Sequence, residues 1–476
     1  MAHHETISSS KKASIVLISS IILIIGIAHA PAASYLTYQR DYAYQASEAD
    51  SKLSCRTIAL EQVKRLLLEE LGTYLESQTE VKNYQVSRDQ VIAITAGIVR
   101  AEILNEKWDG QTYFIVAKIT ADPKQVARAI DELRRERQSL SELEESKKRT
   151  DELLKELAKL REELKSSKGG QGIQEKKDYT AAVKKLGAAD WYKEGYALAE
   201  SRKYREAISF YNKAIDADPR YANAYSVRGF AYYRIKDYQQ SLTDVNRALD
   251  LKPGHPGALA NRALTLVAMK EYDRALTDIN RAIELKPDYA RAYNIRGYTY
   301  LNLGNNQKAI ENCNKAIELN PNFSDAYVNR GTAKRNIRRY EDAFKDYQRA
   351  IEINPEDPRP YQHRGWTYRR LKKYDEAIRD FNKALELDPH FVVALYRRGV
   401  VYYELKDFKG AIRDFSKSIE LEKDHSDAYY QRSLCYKKLG KTEESASDLK
   451  RAAQLGHLRA RQAIRDKKSL LNENDE

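Results

Sequence analysis

Proline recurs on a fixed beat through the second half of this 476-residue chain: Pro219, Pro253, Pro287, Pro321, Pro355 and Pro389 stand 34 residues apart, and Lys423 keeps the next beat. A period that short describes one supersecondary unit copied head to tail, and a single copy cannot bury its apolar face without neighbours. Eight units fit between residues 188 and 459. Their eighth position reads Gly195, Gly229, Ala263, Gly297, Gly331, Gly365, Gly399 and Ser433, and positions 20 and 27 are likewise confined to Ala and Ser. Small residues at three sites let two helices approach closely. Between those sites the apolar residues fall at helical spacing, as in Ala343, Phe344, Tyr347, Ala350 and Ile351, and the proline then shuts the second helix. The period predicts a mainly α solenoid of helix pairs.

Two further columns carry charge. Position 7 reads Arg228, Arg262, Arg296, Arg330, Arg364, Arg398 and Arg432 in units two to eight, and position 23 of the same units reads Asp244, Asp278, Asn312, Asp346, Asp380, Asp414 and Asp448. Two antiparallel helices joined by a tight turn bring these positions opposite each other, so each Arg is expected to fork onto the Asp of its own unit. The competing reading is an arginine row that binds phosphate or acidic groups. The first unit has Glu194 and Phe210 at these places, which marks it as a cap.

In the first unit Trp191, Gly195, Ala207, Tyr211, Ala214 and Pro219 follow the order of the tetratricopeptide repeat (TPR), which the units resemble throughout 188–459. The resemblance implies a right-handed superhelix whose inner groove is lined by positions 2, 5, 9 and 12 of each first helix. Those positions give Tyr192, Tyr196, Phe230, Tyr233 and Tyr298 in the early units, Arg335, Arg359, Gln362, Trp366 and Arg369 in units five and six, and Tyr396 and Tyr403 in unit seven. Of these, Tyr192, Tyr196, Phe230, Tyr233, Tyr298, Arg335, Trp366, Arg369, Tyr396 and Tyr403 form the expected partner-binding set. Rings would anchor apolar side chains of a protein or peptide and arginines would take carboxylates. The plainer alternative packs the same rings between neighbouring helices. The inward Lys and Asn set with which some family members hold chaperone C-termini cannot be assembled, because Ser226, Val227, Ala260 and Val328 stand where lysines should flank Asn261 and Asn329.

Ahead of the repeats, Lys11 and Lys12 precede an uncharged stretch over 13–28 and then Ala28-His29-Ala30-Pro31. Residues 1–32 read as a secretory signal, which places the protein in the periplasm or cell envelope; the alternative is an uncleaved anchor associating the chain with the inner membrane. A small α+β domain is expected over 33–122: a strand at 35–44, a helix at 51–78, a short strand near 81–86, a helix at 87–96, and a hairpin turning at Asp109-Gly110. It resembles N-terminal modules of exported bacterial repeat proteins. Residues 123–168 carry 24 charges in 46 positions with leucine rows through Leu133, Leu140 and Leu154 and through Leu143, Leu157 and Leu164. They read as a coiled-coil helix, either dimerising the chain or serving as a solitary spacer. A flexible linker at 169–187, a closing helix to about 466 and a polar tail at 467–476 complete the expected organisation.

A formal charge of +13 invites a nucleic-acid partner, yet the basic residues are scattered among acids and no aromatic-basic nucleic-acid module is present in the sequence. Cys55, Cys313 and Cys435 are too far apart to frame disulfides. No phosphate loop, zinc spacing or nucleophile elbow occurs, so no catalytic residue, metal or cofactor is expected. The sequence reads as a non-enzymatic interaction scaffold; the alternative is an envelope-assembly component in which the repeats act as a spacer.

Overall fold

A computed structural model of the chain describes residues 35–47, 50–77, 88–122, 126, 130, 137–166 and 171–472. The expected signal segment and the short strand near 81–86 lie outside them. No helix among the described residues is long and apolar enough to cross a membrane. The chain divides into two compact units, residues 1–237 and 238–476.

In the first unit, β1 (Leu36–Gln45), β2 (Ala101–Trp108) and β3 (Thr112–Ala121) form an antiparallel sheet in the order β1-β3-β2. Asp109 makes the hairpin turn by accepting from the amides of Gln111 and Thr112, and Gly110 supplies φ +101°. Helix α1 (Lys52–Ser77) lays Cys55, Ala59, Val63, Leu67, Leu71 and Leu75, all fully buried, against the sheet and α2 (Arg88–Ile98). The 3.6-residue spacing of those positions is what turns the stripe inward.

Helix α3 (Arg137–Ser166) packs on α2 and on α4 (Gln171–Glu200). Leu143, Ser146, Thr150, Leu153 and Leu157 are buried there, and the guanidinium of Arg149 pairs with Asp218 and lies 4.2 Å from the Tyr221 ring. Of the leucine rows that suggested a two-chain seam, Leu143 and Leu157 are buried in their own chain, whereas Leu154 and Leu164 are half-buried. The expected linker at 169–187 is also corrected. From Gln171 onward it is helical, and Tyr179, Ala182, Val183 and Leu186 are buried, because tertiary packing of an apolar face outweighs the poor helix propensity of Gly172 and Gly187. The first helix of repeat one is thus the last part of α4, followed by α5 (Tyr204–Ala217) and by α6 (Ala222–Arg234), the first helix of repeat two.

The second unit continues with α7 (Tyr238–Leu251), then the pairs α8 (Pro256–Ala268) and α9 (Tyr272–Leu285), α10 (Ala290–Asn302) and α11 (Asn306–Leu319), α12 (Ser324–Asn336) and α13 (Tyr340–Ile353), α14 (Pro358–Arg370) and α15 (Tyr374–Leu387), α16 (Val392–Glu404) and α17 (Phe408–Leu421), and α18 (Ser426–Lys438) and α19 (Thr442–Gln454). Within a pair the close approach is at position 8: a Cβ on Gly331 would stand 2.8 Å from Tyr347 Cε1. Each pair turns at position 15, where Lys270, Arg338, Lys372 and Lys406 adopt φ of 58–65° and the next amide bonds back five residues, as Glu271 does to Leu266 at 2.9 Å. Successive first helices, α8, α10, α12, α14, α16 and α18, touch one another as well as their partners, whereas successive second helices scarcely do, so the first helices form the inner side of the stack. The closing helix α20 (Leu458–Asn472) runs past the expected end near 466, and its N-terminus is capped by His457 Nδ1, which accepts from the Ala460 amide at 3.1 Å.

Candidate functional site

The arginine column forms a ladder. In repeat three, Arg262 donates through Nε and Nη2 to the two oxygens of Asp278, each at 2.7 Å, and Arg398 does the same with Asp414. Arg330, Arg364 and Arg432 repeat the fork on Asp346, Asp380 and Asp448, and Arg296 uses Nε alone on Asn312 at 2.6 Å. The acids are nearly buried, so two fixed hydrogen bonds are needed to keep the pairs from being a net loss.

A third contact was not foreseen. Nη1 of each Arg reaches back to position 25 of the preceding repeat: Asn246, Asn280, Asn314, Gln348, Asn382 and Ser416 accept at 2.7–2.9 Å from Arg262, Arg296, Arg330, Arg364, Arg398 and Arg432. One guanidinium so locks the two helices of its own repeat and joins them to the repeat before. In the first unit Arg228 bonds Asn212 in the same way at 2.7 Å. The column was readable, since position 25 carries an amide or hydroxyl up to Ser416 and changes to Lys450 in the last unit, where no repeat follows. The ladder arginines are structural.

The expected groove residues divide. Tyr192 is fully buried and Tyr196 nearly so, in a ring cluster with Tyr211 and Tyr221 under the N-terminal elements of the first unit; both are core residues and drop out of the partner-binding set. Phe230 and Tyr233 are half-buried and stack at 6.1 Å on α6, in the first unit. In the second unit Tyr298 is half-buried on α10. Trp366, Tyr396 and Tyr403 are brought together in one cluster around Val400, Phe415 and Cys435. Two guanidinium groups lie against the Trp366 ring, Arg369 at 4.2 Å and Arg397 at 4.9 Å from its centre. Arg369 is neutralised by a bidentate pair with Glu404, and Arg359 by Asp357 and by Asp325 at 2.7 Å.

Arg335 and Arg397 differ from these. Neither forms an ion pair with a described residue, and the Nη1 atom of each is buried without a hydrogen-bond partner. Burial lowers the Arg335 guanidinium below its usual range, with the nearby Arg370 charge adding to the effect; burial and the Arg335 charge together bring Arg397 down to about 10. His363, between them on α14, is held well below its ordinary value by burial and by the charges of Arg397, Arg335 and Arg359, so it is neutral. Its Nδ1 lies 3.2 Å from the Thr332 hydroxyl. The inner face of repeats five to seven is therefore a cationic floor with an indole set into it. Arg397 was missed because it occupies position 6, outside the four positions expected to face the groove.

With paired helices, position-8 contacts and ladder in place, family comparison decides the class. Profiles of the tetratricopeptide repeat match residues 192–256, 263–304, 290–323, 324–357, 358–391, 392–425 and 426–455. The chain belongs to the tetratricopeptide repeat family. Members of this family are generally non-enzymatic scaffolds for protein partners, and the paired-helix solenoid agrees with that class. Among solved structures, the TPR chain is similar to one from the APC/C hetero-tetramer Cut9-Hcn1, with TM-score 0.49 and 14% identity over 62% of this chain and 59% of that one. A tetratricopeptide repeat protein from Parabacteroides merdae matches with TM-score 0.43 and 19% identity over 52% of this chain and 98% of that one. A thermophilic TPR protein of Thermus thermophilus matches with TM-score 0.37 and 21% identity over 38% of this chain and 99% of that one. No curated protein matches the chain.

Proposed function

We propose that this tetratricopeptide repeat protein is an interaction scaffold that acts outside the cytoplasm and holds an extended segment of a partner protein along the inner face of repeats five to seven. The observation that carries the reading is Trp366, a half-buried indole with Arg369 and Arg397 against its ring on the inner side of α14 and with Tyr396 and Tyr403 in the same cluster. Aromatic and Arg side chains of this kind supply most of the energy at peptide interfaces, because they bury large area at low entropic cost. The core of the α+β unit runs on through the α3–α4 helices into the first repeats, as Tyr211, Ala214, Tyr221 and Ala224 join it. Lys11, Lys12, the uncharged stretch that follows and Ala28-His29-Ala30 support export.

Selection of extended peptides from a displayed library with the full chain tests the binding. Trp366→Ala should weaken the selected peptides at least about tenfold, the effect of losing one hot-spot ring. Unchanged affinity in Trp366→Ala would refute the site. Sequencing the N-terminus of protein recovered from the native envelope fraction tests the location, and an intact Met1 in a cytosolic fraction would refute it.

A further inference from the structure

The inner face of repeats five to seven holds three buried donors and no acceptor for them. Arg335 comes from position 12 of repeat five and Arg397 from position 6 of repeat seven, on the helices α12 and α16 that pack on either side of α14; Thr332, three residues before Arg335, meets His363 of α14 at 3.2 Å, and Arg397 lies 4.9 Å from the Trp366 ring of α14. Nη1 of Arg335, Nη1 of Arg397 and Nε2 of Gln362 are all shut off from water without a partner, and Gln362 as a whole is 2% exposed.

Leaving such donors unmet costs free energy at each of them, and bringing two cations together in a dry site adds Coulomb repulsion. The rest of this part of the molecule shows that the fold can supply acids where it needs them. Arg330, Arg364 and Arg398 on the same helices have theirs, and so do Arg359 and Arg369 on the inner face. The neighbouring side chains cannot neutralise the pair: His363 is neutral with its Nδ1 at the Thr332 hydroxyl, and Glu404, Asp325 and Asp357 are engaged by other arginines. A cationic site assembled from three repeats and left without a counter-ion is a site whose counter-ion comes from outside the chain.

We infer that Arg335, Arg397 and Gln362 form a subsite for one side-chain carboxylate, Asp or Glu, of the extended partner segment, with Trp366 flanking it. This rests on the groove reading above. Three donors suit a carboxylate, whose two oxygens offer four acceptor positions, better than the three oxygens of a phosphate, which would keep more lone pairs unmet in a desolvated site. Both arginine side chains are half-buried, so their outer edges open to the groove, and an entering carboxylate meets them beside the indole.

The test uses the full chain and a short, end-blocked peptide of alternating Tyr and Ser with one central Glu, in fluorescence anisotropy against copies carrying Gln or phosphoserine at that place. The Glu peptide should bind about 30-fold more tightly than the Gln copy, the effect expected for a desolvated, hydrogen-bonded charge pair. In Arg335→Gln and in Arg397→Gln that preference should shrink to within about threefold. Thermal melts without peptide provide a second readout: each substitution removes one of two repelling cations and should leave the melting temperature unchanged or raise it. Equal binding of the Glu and Gln copies, survival of the preference in both variants, or a fall in melting temperature in both would overturn the assignment, as would tighter binding of the phosphoserine copy. If Trp366→Ala weakens every peptide while Glu and Gln copies bind alike, the groove reading stands and the carboxylate subsite falls; if no peptide binds the unaltered chain, both fall.

Discussion

Removing Asp414 should destabilise repeat seven far more than removing Asp414 and Arg398 together. In the intact protein Asp414 accepts from Nε and Nη2 of Arg398, both at 2.7 Å, and the two side chains are 8% and 20% exposed. Asp414→Leu leaves two guanidinium donors facing an apolar neighbour in a site water reaches only in part. Breaking a buried pair from one side costs about 3–5 kcal/mol, and the partial exposure of Arg398 places this case near 3 kcal/mol. Arg398→Met strands a nearly buried carboxylate and releases Asn382, for a similar loss of about 3 kcal/mol. Arg398→Met/Asp414→Leu strands neither charge and loses only the link to Asn382, so its cost should be about 1 kcal/mol. The coupling energy of the cycle is then on the order of 5 kcal/mol, the two single losses less that of the double variant. Urea unfolding gives the overall loss, and native-state hydrogen exchange at the amides of α16 and α17 localises it, which matters because a repeat stack need not unfold in one step. Simple additivity, with the double variant losing about 6 kcal/mol, would refute the claim that the arginine column acts through its acids.

Two other substitutions follow from geometry and burial. A Cβ on Gly331 would meet Tyr347 Cε1 at 2.8 Å and the Ala343 carbonyl oxygen at 3.2 Å, so Gly331→Ala should lower stability by about 1–3 kcal/mol in urea unfolding and be largely tolerated when combined with Tyr347→Leu. The carboxyl of Glu61, 4% exposed on α1, is pushed up to about 7 from 4.5 by burial, with Lys193 pulling it back and Asp190 adding to the rise. A carboxyl raised on folding binds its proton more tightly in the folded state, so its contribution is fully present below pH 4.5 and is lost as pH climbs through 7. Glu61→Gln should flatten that decline and, at pH 8, be more stable than the unaltered chain by on the order of 1–2 kcal/mol, with little difference at pH 4; a parallel pH profile in thermal melts would refute it.

How much could be read in advance depended on whether an interaction repeats. The close approach at position 8 was legible because only small residues stand there; what they face varies with the unit, Tyr347 for Gly331 and Phe415 for Gly399 but Cys313 for Gly297. Half of the ladder was legible too, since Arg and Asp columns are present together in units two to eight; the Nη1 contacts to Asn246 and its counterparts needed the repeats to be stacked before position 25 had a meaning. Tyr192 and Tyr196 were misplaced for the opposite reason. They satisfy the groove pattern of an interior repeat, but in repeat one their side is closed by Tyr211, Tyr221 and the elements before it. Residues 171–187 looked like a linker because Gly172 and Gly187 are poor helix formers, and became helix because Tyr179 and Leu186 had an apolar surface to cover.

The sequence by itself determined the period, the helix pair, the turn between pairs and the class of the fold, because each of these depends on neighbours a few residues away and is restated in every unit. Only the tertiary structure decided which arginines are spent on the scaffold and which remain for a ligand. Arg330 and Asp346 meet across a turn and recur as a column, whereas Arg335 and Arg397 belong to different repeats and different positions, and flank repeat six only when three repeats are stacked.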